Sequence, residues 1–143
     1  MTLPARLARS VQQTAANCTN ARFDTTGTYR PLDRTIEDEM LRIAQEALAN
    51  AVRHADAGSI QVRLAYLFDL ATLEVVDDGR GFDVAQAPSS LLGHFGLLGM
   101  RERAQKIGAI VVMESSVGHG TTIRVEKRLT RRVGLQEKEV PYV

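Results

Sequence analysis

Glu46, Asn50, Arg53 and His54 are spaced three and four residues apart, so on a helix they share a face and can act on one ligand. Met40, Ile43, Ala44, Ala47, Leu48, Ala51 and Ala55 recur at the same period on another face, the pattern of a helix that packs on one side and presents polar groups on the other. Most such polar faces are only solvated. Asn50 argues for more, because asparagine in a helix interior costs on the order of a few tenths of a kcal/mol relative to alanine. Its amide oxygen can take one place in the octahedral shell of Mg²⁺, with phosphate oxygens and water in the others, and Glu46 one turn earlier can orient such a water.

A second group, Asp77-Asp78-Gly79-Arg80-Gly81-Phe82, closes a strand-like run. Two glycines let a flat ligand approach the backbone while a carboxylate offers an acceptor, which an adenine amino group would satisfy. A plain Asp-Gly turn is the competing reading. Gly93, Gly96 and Gly99 are spaced three apart around the entry to a helix that starts near Leu97. Orphan amides and the helix dipole there would favour a phosphate, although a flexible linker could have the same composition. Two better-known phosphate motifs are excluded. No G-x-x-x-x-G-K-S/T string occurs, and Gly79-Arg80-Gly81 is followed by Val84 where a dinucleotide fingerprint needs its third glycine.

The elements that must position these residues follow from periodicity. Leu3, Leu7 and Val11 predict a helix from Leu3 to about Ala16, and Cys18 to Thr26 a short strand. Thr35-Ile36-Glu37-Asp38 has the form of a capping box opening a long helix to about His54. Ser59 to Leu67 and Ala71 to Val76 read as an antiparallel hairpin, and Asp77 to Gly96 as a long functional loop. A helix from Leu97 to Ile107 and a last strand pair, Ala109 to Ser115 and Thr121 to Leu129, complete the domain, with a charged tail after Thr130. The expected architecture is a two-layer α/β sandwich, one sheet with helices on a single face.

Composition sets outer bounds. A chain of 143 residues, 44% hydrophobic, is one domain able to bury a core without disulfides. Eighteen Lys and Arg against seventeen Asp and Glu leave a net charge of +1, which gives no reason to expect nucleic-acid or membrane contact from bulk electrostatics. Cys18 is the single cysteine and there is no Trp, so an intrachain disulfide is excluded, a reducing cytoplasm fits, and an aromatic stacking surface is disfavoured. The apolar stretches fall short of the roughly 18 residues of a membrane span, and the first residues lack the apolar centre of a signal peptide.

Taken in order, four segments resemble the ATPase domain shared by histidine kinases, DNA gyrase, the large heat-shock chaperones and the mismatch-repair ATPases, the GHKL type. Gln45 to Ala55 is similar to its asparagine box, Asp77 to Phe82 to its first glycine box, Gly96 to Arg103 to its second, and Gly118-His119-Gly120-Thr121-Thr122 to its last. The Arg53-His54-Ala55 ending and the Gly99-Met100-Arg101-Glu102-Arg103 string resemble the nitrate-sensor-like branch of histidine kinases. The resemblance spans nearly Leu3 to Leu129, with residues 1–130 as the ATPase domain and 131–143 as the tail. It implies a Bergerat-type fold with a mixed sheet, ATP and Mg²⁺ as ligands, Asn50 on the metal, Glu46 on its water shell, and Arg53 and His54 near the phosphates. It further implies that Asp77 accepts from the adenine amino group while Gly79 and Gly81 make room for the base. Gly93, His94, Gly96, Leu97 and Gly99 would form a lid over the phosphates, and Thr121 would support Asp77 or a bridging water.

In that family the phosphorylated histidine lies on a dimerising helical domain and is usually followed by an acidic residue. Here His54 precedes Ala55, His94 precedes Phe95 and His119 precedes Gly120. The expectation is therefore a domain that binds ATP without phosphorylating itself. Its partners would be the parent kinase's helical acceptor domain and, downstream, a response regulator. Three rival readings stand: a serine kinase of the anti-sigma-factor type, a nucleotide-sensing interaction module without transferase activity, and a gyrase-like hydrolase using Glu46 as general base.

Overall fold

The computed structural model describes residues 1–16, 20–53, 56–85 and 96–130. Cys18, His54, Gly93, His94 and the tail after Thr130 lie outside them.

The amphipathic N-terminal segment forms α1 (Leu3–Ala15), opened by the Thr2 hydroxyl, which accepts from the Ala5 amide at 3.2 Å, and by proline in its first turn. Leu3, Leu7 and Val11 are its buried stripe. Strand β1 (Asn20–Thr26) leads to α2 (Arg34–Arg53), whose Met40, Ile43, Ala44, Ala47, Leu48 and Ala51 are buried as their spacing predicts. Strands β2 (Ser59–Tyr66) and β3 (Leu70–Asp77) form the expected hairpin. Helix α3 (Leu97–Lys106), β4 (Ile110–Ser115) and β5 (Thr121–Arg128) complete the domain.

The start of α2 departs from the capping-box reading. The helix begins at Arg34, which places Thr35 inside its first turn. Glu37 turns back to accept from the Leu32 amide at 3.3 Å and from the Tyr29 hydroxyl at 3.2 Å, and Asp38 accepts from Arg6 of α1 at 2.7 Å. Asp38, the carboxylate a capping box from Thr35 would use, is taken by a tertiary partner, while Glu37 binds the segment just before the helix.

The sheet order is β1-β2-β3-β5-β4, with β1 parallel to β2 and every other pair antiparallel. Alternation sends Ile60, Val62, Leu64, Leu73, Val75, Ile123 and Val125 into one core with the helices. The opposite face is ionic. Asp24, Arg63, Glu74 and Arg124 stand opposite one another across four strands. Arg124 donates from Nε and Nη2 to one Glu74 oxygen at 2.9 and 2.7 Å, while Arg63 lies 3.6 Å from the other. The two-layer sandwich with helices on one face is thus observed, and the outer face, which carries this row of charge beside exposed Ile110 and Val112 of β4, is open to solvent.

Helix α3 is fixed to α2 through Glu39. This buried carboxylate accepts from Arg103 and Lys106, each at 2.9 Å, and these two hydrogen bonds hold its pKa below the usual carboxylate value. A lowered carboxyl stabilises the fold above its unfolded pKa, and that stabilisation is lost as pH falls through the folded value. Glu39→Gln should therefore cost about 1 kcal/mol above roughly pH 5, where both released cations remain hydrated, and progressively less towards about pH 3. Thermal unfolding of both proteins across that range checks it. A deficit independent of pH would mean that packing, not charge, is what Glu39 contributes.

Candidate functional site

The C-terminal half of α2, the end of β3, the start of β5 and the start of α3 meet at one end of the sheet. The connection from α2 to β2 brings this about: the Ala57 amide donates to the Ala51 carbonyl at 3.3 Å, so β2 starts beside the last turn of α2. Ile60 of β2 is in register with Asp77 of β3, and Asp77 with Thr121 of β5.

Asp77 is buried at 8% exposure. Its Oδ1 accepts from the Gly79 amide at 2.8 Å, and the Thr121 backbone N–H also bonds to this carboxyl. Burial pushes its pKa above the ordinary value and outweighs the two amide hydrogen bonds that pull it down. A carboxyl buried at a strand end against the cost of its desolvation is the kind of group that serves a ligand. Asp78 has a framework role, its Oδ1 accepting from the Gly58 and Ser59 amides at 2.9 Å each.

Gly81 and the glycine of the facing turn have a structural reason of their own, beside any room they make for a ligand. Gly81 is packed on the β4–β5 turn, at φ +60°, where a Cβ would fall 2.1 Å from the Ser116 carbonyl oxygen. Gly120 in that turn has φ +77°, and its Cβ would fall 2.0 Å from the Asp77 carbonyl oxygen. Glycine is demanded at both by interlocked backbones. Gly79 contributes its amide to Asp77.

On α2, Asn50 is half-buried with its Oδ1 shielded from solvent, and Glu46 lies one turn before it, 3.8 Å from the exposed Arg53 guanidinium. Gly96, the N-cap of α3 at φ +71°, sits against Glu46: a Cβ there would be 2.8 Å from Glu46 Oε2. No side chain caps this terminus, and Gly99 within the first turn faces open space. The first amides of α3 therefore stand beside Glu46 as an anion-favouring end. The structure brings together Glu46, Arg53 and Gly96 on one side, and Asp77, Gly79, Gly81 and Thr121 on the other. Leu97 is buried at the start of α3. The assignments of His54, Gly93 and His94 fall outside the described residues.

One polar residue at this end was not singled out from sequence. Ser115, the last residue of β4, bonds to the Phe82 amide, the Gly120 carbonyl and the Thr121 hydroxyl. The available signal was a short hydroxyl side chain at a strand end facing the glycine-bearing turn, which gains meaning only once the strand register is known.

Comparison with known proteins agrees with this fold. Residues 35–131 match the family described as histidine kinase-, DNA gyrase B- and HSP90-like ATPase. The chain is 35% identical over 94 residues to the signal transduction histidine-protein kinase/phosphatase DegS of Bacillus subtilis, covering 66% of this chain and 24% of that one. To the sensor histidine kinase LiaS of the same organism it is 38% identical over 95 residues, covering 66% and 26%. The chain thus spans about a quarter of the length of these relatives. Among solved structures it superposes on the histidine kinase domain of the blue-light activated kinase of Erythrobacter litoralis with a TM-score of 0.71 at 22% identity, covering 90% of this chain and 62% of that one. The catalytic domain of the histidine kinase ThkA gives 0.67 at 14% identity, covering 88% and 89%. The mixed five-stranded sheet with its one-sided helices, the ordered boxes and the family match together establish that this chain belongs to the histidine kinase-, DNA gyrase B- and HSP90-like ATPases.

Proposed function

We propose that this domain holds Mg-ATP and presents its γ-phosphate to a histidine on a separate helical dimerisation domain, as the catalytic part of a two-component sensor kinase that serves a response regulator. The observation that carries the reading is the buried Asp77 carboxylate, fixed by two amides at the same end of the sheet as Glu46, Asn50 and the uncapped start of α3. ATP follows from the family; the named relatives favour a histidine acceptor over the serine of an anti-sigma-type kinase.

In this reading Asp77 accepts from the adenine amino group, and the first turn of α3, with Gly96 and Gly99, receives phosphate oxygens. Arg53 contributes positive charge, and Glu46 orients water. Mg²⁺, when bound, neutralises charge on the phosphates. Among the described residues no three His, Cys, Asp or Glu side chains gather to hold a metal alone, so Asn50 would share the ion with phosphate oxygens and water. The acceptor imidazole attacks phosphorus in line and ADP leaves, chemistry that asks the protein mainly for positioning and charge neutralisation. Among the described residues no helix is long and apolar enough to cross a membrane. A cytoplasmic site of action is part of the proposal.

Asp77→Asn separates fold from function. A raised carboxyl pKa means that its contribution to stability is greatest in acid and is lost as pH rises through the folded value. At neutral pH the variant should melt no lower than wild type while losing about tenfold or more in ATP affinity, since an amide can turn donors towards the base. Calorimetric titration with Mg-ATP and Mg-GTP reads this directly. Addition in trans of a helical acceptor domain of the family should then yield phosphohistidine. ATP binding without any transfer would favour a nucleotide-sensing module, and sustained hydrolysis by the isolated chain would favour a gyrase-like use of Glu46.

A further inference from the structure

Hydrogen-bond bookkeeping at Ser115 assigns a direction to the hydroxyl groups beside Asp77. A serine hydroxyl has one proton to donate and two lone pairs to accept with. The Phe82 amide, 2.9 Å from Ser115 Oγ, can only donate to it. The Gly120 carbonyl, at 3.0 Å, can only accept, so the Ser115 proton goes there. The remaining partner is Thr121 Oγ1 at 2.8 Å; either hydroxyl could donate across this contact, and the arrangement in which all three contacts are hydrogen bonds at once is the one with Thr121 as donor. Ser115 is then saturated.

The consequence falls on Thr121. Its backbone N–H is bonded to the Asp77 carboxyl and its hydroxyl proton points to Ser115, so its side chain has only lone pairs left for a ligand. Asp77, as a carboxylate, also offers only lone pairs. We infer that Ser115 is a specificity-determining positioning residue that holds Thr121 as an acceptor, so that this end of the pocket takes a base presenting N–H donors and rejects one presenting a carbonyl at the same position. The inference rests on the proposed adenine site at Asp77. An exocyclic amino group fits, directly or through water. The 6-oxo group of a hypoxanthine or guanine nucleotide would face lone pairs on lone pairs, and a site built from hydrogen-bonding groups discriminates strongly against a ligand that leaves them unpaired.

The test is the ratio of dissociation constants for Mg-ATP and Mg-ITP, measured by calorimetry on wild type, Ser115→Ala, Ser115→Thr and Asp77→Asn. Ser115→Ala frees the Thr121 proton to turn towards a 6-oxo group, so the preference for ATP should narrow about tenfold, the worth of one hydrogen bond redirected. Ser115→Thr keeps the hydroxyl and should stay within about twofold of wild type. Should Ser115→Ala not fold, Ser115→Cys, whose thiol fills the same place and bonds weakly, is read by the same ratio. A purely structural role would lower the melting temperature and leave the ratio alone. An unchanged ratio in the alanine or cysteine variant, or an equal loss in the threonine variant, overturns the assignment of Ser115, while loss of ATP binding in Asp77→Asn would show that the adenine reading survives it. Wild-type ATP affinity in Asp77→Asn would instead overturn the adenine reading itself, and this inference with it.

Discussion

Asn50→Ala is expected to lower Mg²⁺-dependent phosphoryl transfer by about 100-fold or more while leaving the domain folded. Replacing groups one step removed from a metal already costs about 10- to 100-fold in affinity or activity, so if Asn50 is the direct ligand proposed, its removal should lie at or beyond the upper end. The fold should not suffer. Asn50 is on the polar side of α2, half-buried, and alanine is the better helix former by on the order of half a kcal/mol. Two measurements together check it: transfer from ATP to an added helical acceptor domain at varied Mg²⁺, and the thermal transition of the variant. Full activity in a folded variant would remove Asn50 from the mechanism.

The largest expected effect on stability is at Gly120. A Cβ there would meet the Asp77 oxygen at 2.0 Å, the Asp77 carbonyl carbon at 2.9 Å and the Asp78 Cα at 3.0 Å, all backbone atoms that no side-chain rotation can clear. Left-handed backbone adds about 1–2 kcal/mol for any non-glycine residue. With the forced shift of β3, Gly120→Ala should lose about 3 kcal/mol, roughly 10 °C in melting temperature for a chain of this size. Gly118 supplies the control. It too is left-handed, at φ +83°, but nothing lies within 4 Å of its Cβ position, so Gly118→Ala should show the conformational cost alone. Equal melting temperatures for the two variants would deny that the turn and the end of β3 are interlocked. ATP affinity should fall further in Gly120→Ala, since the displaced carbonyl belongs to Asp77.

What could be read from the sequence was what local periodicity and turn chemistry determine. The stripe from Met40 to Ala51 made α2 plain, and the alternation of Ile60, Val62, Leu64 with Leu73, Val75 made the hairpin plain. The boxes placed Asp77 at a strand end and Gly96 at a helix start, where the structure has them. Less legible was anything decided by partners distant in sequence. Asp38 looks like part of a cap until Arg6 is seen to claim it, and Glu39 looks like one more charge on a helix until α3 brings Arg103 and Lys106 to it. Nor does anything local show that Gly81 is also demanded by packing, with the Ser116 carbonyl at the place of its Cβ. The strand order, with β5 between β3 and β4, and with it the meeting of Ser115, Gly120 and Thr121, depends on register that no local signal encodes.

The parallel pairing of β1 with β2 has a consequence in time. The two hairpins close over residues 67–69 and 116–120, but β1 reaches β2 only after the whole of 27–58, α2 included, has been enclosed. Loop-closure entropy grows with the enclosed length, and contacts between sequence-distant segments slow folding. The pairing of β3 with β5 that brings Asp77 to Thr121 encloses still more chain, residues 78–120, so each hairpin can form early from sequence neighbours while the frame of Asp77 and Thr121 is complete only once the two hairpins join. The addition of β1 to β2, with α1 packed on β1 and on α2, is the other long-range step, and it is made by residues that precede the family-matched segment.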